Sequence, residues 1–348
     1  MEHNEILRRL PAALQPWYAE NKRDLPWRRD REPYHVWLSE IMLQQTRVEA
    51  VKGYYTRFLD VLPTVEALAS ADDELLHKLW EGLGYYSRVR NLKKAAQAVV
   101  ALGEFPGEYE AVLALPGVGE YTAGAICSIC YDALTPAVDG NVLRVVSRLT
   151  DDPTPIDDPK YKKQVREALM AVYPDTAGDF TQALMELGAT LCGPNWKPRC
   201  EECPCREFCL GHQRGTAETL PVKAPKKLKR VEEYTVFVLS CGGKYALEKR
   251  PDFGLLAGLW QFPNVSGKLE TTEALTALGT IGLKPKDILR QSDRNHIFTH
   301  IRWEMRAYWV EVAEQTGKYR WLTAEEIQRE AAVPTAFRQF WDETQNMV

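Results

Sequence analysis

The sequence predicts two unlike folds in tandem. An all-α domain covers residues 1–220, and a smaller α+β domain covers 232–348. Three observations predict this arrangement. Apolar residues recur at helical spacing through the first part of the chain. Pro221–Arg230 then holds five basic residues and no acidic one. Beyond it, β-branched and aromatic residues run in strand-like stretches. The chain has 348 residues, of which 45% are hydrophobic and 26% charged. That is globular composition, and at about 100–200 residues per domain it suits two domains.

The helical pattern is carried in turn by four sets of residues. These are Trp37, Ile41, Gln45 and Val48; Leu92, Ala95, Ala96, Val99 and Val100; Val142, Val145, Val146 and Leu149; and Phe180, Leu184, Leu187 and Leu191. Short Pro/Gly/Asp turns separate them, as in a compact helical domain. Residues 221–231 read as an exposed linker, either a solubilising connector or a phosphate-contacting strap. Tyr234–Leu239, the Gly242–Gly243 pair and Lys244–Lys249 read as strand, turn, strand. Arg302–Val310 alternates like a further strand, and Ala324–Arg329 and Thr335–Trp341 look helical.

Lys plus Arg number 44 and Asp plus Glu 48, giving a formal charge of −4. This excludes a uniformly basic nucleic-acid coat but allows a local basic surface. No apolar run approaches the ~20 residues that cross a bilayer. The start, Met1–Glu5, lacks the basic and apolar regions of a secretory signal. The expectation is a cytoplasmic protein with reduced thiols.

Leu115-Pro116-Gly117-Val118-Gly119 lies between two helical segments. Gly117 and Gly119 can adopt φ > 0 and uncover backbone amides. With the next helix's N-terminus they would form an anion nest for a phosphate; otherwise they make a tight turn. Cysteines follow the spacing Cys192-x7-Cys200-x2-Cys203-x5-Cys209. Four such thiolates can ligate one zinc ion or one iron–sulfur cluster. Cys205 is a competing fifth thiol, and Lys197, Arg199 and Arg206 could contact phosphates. Glu40 stands in the apolar stretch Trp37–Gln45, either on a wet helix face or as a carboxyl kept neutral by burial. Asp139 directly precedes a helix and is either its cap or a functional carboxylate.

Taken together, these strings resemble the MutY adenine DNA glycosylases of the endonuclease III, helix–hairpin–helix superfamily. The string Leu38-Ser39-Glu40-Ile41-Met42-Leu43-Gln44-Gln45-Thr46 resembles the family's first catalytic motif, and Val138-Asp139-Gly140-Asn141-Val142 its second. The Leu-Pro-Gly-Val-Gly string resembles its hairpin. The cysteine spacing resembles the family's C-x6-C-x2-C-x5-C loop with one extra residue. Gly254–Pro263 resembles its Nudix-like domain, and Phe298-Thr299-His300 its F-S-H hairpin.

The resemblance implies a helix–hairpin–helix glycosylase domain with an iron–sulfur loop, followed by a Nudix-like α+β domain. It implies removal of adenine opposite 8-oxoguanine or guanine in duplex DNA by a monomer, with no membrane partner. Glu40 would protonate the departing adenine. Asp139 would stabilise or bond the sugar cation, and Tyr121 and Asn141 would position them. Tyr121 occupies the slot where lyases of the superfamily carry a Lys, which implies base removal without strand nicking. Cys192, Cys200, Cys203 and Cys209 would hold a [4Fe–4S] cluster. Gly117 and Gly119 would bind phosphate. Trp27 and Arg28 would stack on or bond the flipped base, and Glu186 would touch its amine. Gln45 and Thr46 would sit at the lesion pair, Tyr85 would wedge into the stack, and Leu83 would shape that region. Phe298, Thr299 and His300 would probe the 8-oxoguanine. No magnesium-holding Glu-rich box follows Pro263, so recognition without nucleotide hydrolysis is expected. Two other readings remain: an endonuclease III-type lyase, opposed by Tyr121, and a non-catalytic redox-sensing DNA binder, opposed by the two carboxylates.

Overall fold

The computed structural model describes residues 3–225 and 228–346. Met1 and Glu2 of the expected N-terminus, Lys226 and Lys227 of the expected linker, and Met347 and Val348 lie outside the described residues. Two compact units emerge, Met1–Ser70 with Asn91–Pro225, and Ala71–Arg90 with Lys226–Val348. The sequence reading cuts the chain once, near residue 221. In the structure the segment 71–90 groups with the C-terminal unit instead. Strand β1 also begins at Arg230, inside the span read as linker.

Among the described residues the first unit is helical. One core gathers Leu10, Leu14, Val142, Val146, Leu149, Phe180, Leu184, Leu187 and Leu191, with Cys205 and Phe208 from the cysteine-rich loop. Phe180 packs edge-on against Tyr173 at 4.9 Å. One helical pattern read from the sequence breaks. Helix Pro33–Leu43 ends before Gln45, whose φ is +57°, and a new helix, Val48–Val61, follows. Gln45 and Val48 therefore do not continue the face of Trp37 and Ile41. The chain turns there and opens Gln45 towards a cavity.

The second unit is built on a mixed sheet. Its strands are β1 (Arg230–Cys241), β2 (Lys244–Lys249), β3 (Trp260–Gln261), β4 (Asn264–Ser266), β5 (Pro285–Ile297), β6 (Ile301–Val312) and β7 (Arg320–Leu322). The order is β3-β2-β1-β6-β5, with β4 on β1 and β7 on β2. β1 and β6 run parallel, while β5 and β6 form an antiparallel hairpin. Both faces are covered. Trp303, Met305 and Trp309 pack on Phe337, Phe340 and Trp341 of helix Thr335–Gln345. Phe237, Tyr308 and Val310 pack on Ala274 and Leu278 of helix Thr271–Thr280. Alternation along β6 sends successive side chains to opposite cores, so the two faces are built from one strand.

Candidate active site and cysteine centre

Glu40, Asp139, Tyr121, Asn141, Trp27, Arg28, Gln45 and Thr46 all line one cavity of about 460 Å³ in the first unit. Glu40 lies on helix Pro33–Leu43, most of whose residues are buried, and is itself only 5% exposed. Burial pushes its carboxyl up to about 7. A hydrogen bond from Tyr121 opposes the rise, Asp139's charge adds to it, and Arg28 opposes it again. The Tyr121 phenol is held well above its ordinary range by burial and by both carboxylates. It is therefore a donor throughout the neutral range.

Asp139 is the helix cap of one sequence reading, and it also lines the cavity. It caps helix Gly140–Thr150 by accepting from the amides of Asn141 and Val142, each at 2.9 Å. Its other oxygen accepts from Asn141 Nδ2 at 2.7 Å. Both carboxylate oxygens are thus occupied by donors at the helix N-terminus. Asn141 Oδ1 in turn accepts from Arg144 at 3.0 Å. One carboxyl held near neutrality and one supplied with donors is the environment pattern that separates an acid from a charge stabiliser.

Glu186 lies behind the cavity-lining arginines. It is fully buried, does not line the cavity, and is bound by Arg23 (Nε–Oε1 2.6 Å) and Arg28 (Nη2–Oε2 2.7 Å). Burial alone would raise its carboxyl, but the bonds and charges of the two arginines hold it below the usual range. This carboxylate orients the two arginines that face the cavity. Trp27 is also mostly buried, edge-on to Tyr55 at 5.5 Å, and offers only a margin to the cavity. Sequence reasoning missed Arg23 and Gln182, both lining residues. Gln182 lies one helical turn before Glu186 on helix Ala177–Thr190, a spacing that could have found it.

The hairpin between helices Tyr109–Leu113 and Glu120–Tyr131 has Gly117 at φ +77°. A Cβ there would stand 2.5 Å from Asn91 Cβ, so only glycine fits. Gly119 departs from expectation. Its φ is −104°, and it is the extended residue before the helix. Glu120, the first residue of that helix, pairs with Lys162 (3.7 Å) and Arg166 (3.6 Å).

Cys192, Cys200, Cys203 and Cys209 line a second cavity with Arg148, Arg199, Arg206 and His212. Cys205 is fully buried in the core and is not among the lining residues. No three His, Cys, Asp or Glu side chains among the described residues converge tightly enough for one metal ion. Arg148 donates to Cys192 Sγ at 3.3 Å. Lys197, Arg199 and Arg206 pair with Glu218, Glu202 and Glu201, exposed ion pairs of small individual worth.

The second unit holds the remaining residues. Leu83 is buried and packs as core, whereas Tyr85 is 46% exposed with φ +48°. Phe298, Thr299 and His300 form the turn between β5 and β6. Phe298 packs on Trp303 at 4.8 Å, while Thr299 and His300 are exposed. The Tyr85 and Thr299 hydroxyls are 3.1 Å apart.

Residues 38–174 match the HhH-GPD superfamily of base excision DNA repair proteins, and 235–343 match the NUDIX domain. The chain is 38% identical to the adenine DNA glycosylase of Rattus norvegicus, over 93% of this chain and 76% of that one. It is also 38% identical to that of Homo sapiens, over 94% and 72%. Among solved structures it resembles a thermostable thymine-DNA glycosylase, with TM-score 0.54 and 27% identity, covering 61% of this chain and 98% of that one. A trapped endonuclease III–DNA intermediate, at TM-score 0.52 and 22% identity over 62% and 99%, shares the fold. No helix among the described residues is long and apolar enough to cross a membrane.

The raised Glu40 carboxyl has a consequence for stability. The folded chain holds this proton more tightly than the unfolded chain does. The contribution is therefore full below the unfolded value near 4.5 and is lost as pH rises through about 7. Glu40→Gln should stabilise the protein at about pH 8 by on the order of 3 kcal/mol, with the gain shrinking towards about pH 5. Urea unfolding at the two pH values measures this, and an equal gain at both would contradict the burial effect.

Proposed function

The chain belongs to the adenine DNA glycosylases, and we propose that it hydrolyses adenine from pairs with 8-oxoguanine or guanine in duplex DNA without nicking the strand. The observation that carries this reading is the shared cavity of Glu40 and Asp139 with their opposed environments. A cavity of about 460 Å³ is within the size range of small-ligand sites and admits an extruded base.

Glu40, neutral up to about pH 7, gives its proton to a ring nitrogen of adenine. The C1′–N9 bond breaks, and the base leaves as neutral adenine rather than as a poor anionic leaving group. The sugar left behind is oxocarbenium-like, and the Asp139 carboxylate stabilises it at C1′. Water then adds to C1′ and gives its proton to the Glu40 carboxylate left by the first step, leaving an abasic site and restoring the acid. Asn141 and the two backbone amides fix Asp139. Tyr121 holds Glu40 by its hydrogen bond and, lacking an amine, forms no imine with the sugar. Arg28, anchored by Glu186, brings a cation to the cavity wall.

In the second unit Tyr85 wedges into the base stack, and the Thr299 hydroxyl probes the base opposite adenine. Two features support this pairing of roles: both side chains are exposed, and their hydroxyls lie within hydrogen-bond reach. Gly117 and the following helix start supply a phosphate contact. The four thiols that line one cavity have the donor chemistry to hold a [4Fe–4S] cluster. Such a cluster would order the loop and its basic residues as a structural cofactor.

Glu40→Gln should lower single-turnover excision by a factor of about 10²–10⁴ or more, leaving duplex affinity within a few-fold. Wild-type excision, read as alkali-dependent cleavage at adenine, should fall as pH rises past about 7 and give no borohydride-trapped adduct. A mutant that turns over at the wild-type rate would reject Glu40 as the acid. Thr299→Ala should reduce the preference for 8-oxoguanine over guanine opposite adenine by roughly 2–10-fold, the worth of one hydrogen bond. An unchanged ratio would remove Thr299 from recognition. Protein purified anaerobically should carry about four iron and four sulfide per chain, and one zinc in their place would reverse the cofactor assignment.

A further inference from the structure

The turn between helices Asp73–Leu79 and Ser87–Leu102 places Gly84 at φ +71° and Tyr85 at φ +48°. A residue with a side chain stays in this left-handed region only where its surroundings hold it there. One holding group is Arg88, which is 8% exposed. Its Nη2 donates to Leu83 O at 2.9 Å and to Gly84 O at 3.1 Å. Trp80 Nε1 donates to the same Gly84 carbonyl at 3.1 Å. The Arg88 guanidinium lies 5.2 Å from the Trp80 ring and 5.6 Å from the Tyr85 ring. The Arg88 amide also donates to Tyr85 O at 2.9 Å, closing the turn. Burial pushes the guanidinium down to about 10, which leaves it charged at neutral pH.

We propose that Arg88 is a positioning residue for base excision: it locks the strained turn so that the exposed Tyr85 ring is already aimed when DNA arrives, without touching DNA itself. The inference rests on the reading of Tyr85 as the wedge. An arginine suits the task better than a lysine. Its planar head can donate to two carbonyls while its faces rest against aromatic rings. A preset ring spares the ordering cost that a mobile one would incur on insertion.

The test uses the full chain and a duplex with 2′-fluoro-2′-deoxyadenosine opposite 8-oxoguanine. The fluorine destabilises the sugar cation, so the base stays attached. Affinity for this duplex is compared with that for a matched duplex, and 2-aminopurine fluorescence beside the mispair reports unstacking. Tyr85→Ala should cut the lesion preference roughly tenfold, the share of one stacked base. Arg88→Met should cut it to the same extent with the same loss of fluorescence, and the double variant should be no worse than either single one. Arg88→Lys, which keeps the charge, should lose only a few-fold and serves where the methionine variant does not fold.

Additive losses in the double variant would assign Arg88 a purely structural role and overturn the proposal. Wild-type lesion preference in Arg88→Met, with Tyr85→Ala impaired, would overturn it alone. An unimpaired Tyr85→Ala would overturn the wedge reading and the proposal with it.

Discussion

The first unit depends on how helix Gly140–Thr150 is pinned at its start and along its buried face. Asp139 caps it through two amides. One turn in, Arg144 donates to Asn141 Oδ1, to Gly188 O and to Cys192 O. A turn further, Arg148 donates to Cys192 O and Sγ, to Gly193 O and to Leu220 O. Both arginines are about 5% exposed or less. Removing either would strand several buried carbonyls, each expensive to leave unpaired. The carboxylate in the cavity and the first cysteine of the loop are thus held by the same helix. In the proposed chemistry, this gives Asp139 a fixed position without a separate scaffold.

Glu40 is held by the opposite means. It stands on a helix enclosed by the core and accepts a bond from Tyr121, but no helix terminus or bound arginine neutralises it. Arginine is present nearby, yet Glu186 binds Arg23 and Arg28 first. Arg28 still favours the ionised form of Glu40, but less strongly than burial opposes it. Two carboxyls near one cavity are thus pushed in opposite directions, Glu40 up by desolvation and Glu186 down by ion pairing.

Among the described residues, two of the five non-glycine residues with positive φ lie at proposed DNA contacts. Gln45 and Tyr85, both expected at the lesion, are non-glycine residues with positive φ. Such conformations persist when the surroundings over-determine them. At Gln45 the helix stops, and Thr46 N bonds back to Leu43 O at 3.2 Å. At Tyr85 the turn is closed by Arg88 and Trp80.

Local pattern was enough to establish the helical character of the first part, the β1–β2 hairpin at Gly242–Gly243, β6 and the two C-terminal helices. Each of these is dictated by periodicity or turn chemistry within a few residues. The cysteine spacing and the two carboxylate strings were likewise legible, because they are short and chemically distinctive. β5 was not. It is a sheet-edge strand whose side chains mostly face solvent, so no apolar alternation marks it. Helix Thr271–Thr280 carried only its capping box, Glu270 and Glu273, as a signal. The break at Gln45, the grouping of residues 71–90 with the C-terminal unit, and the commitment of Glu186 to two arginines were decided by tertiary structure alone. The last depends on partners far away in sequence, 163 and 158 positions for the two arginines. Spacing along the chain carries no information about which distant charge will fill a buried site.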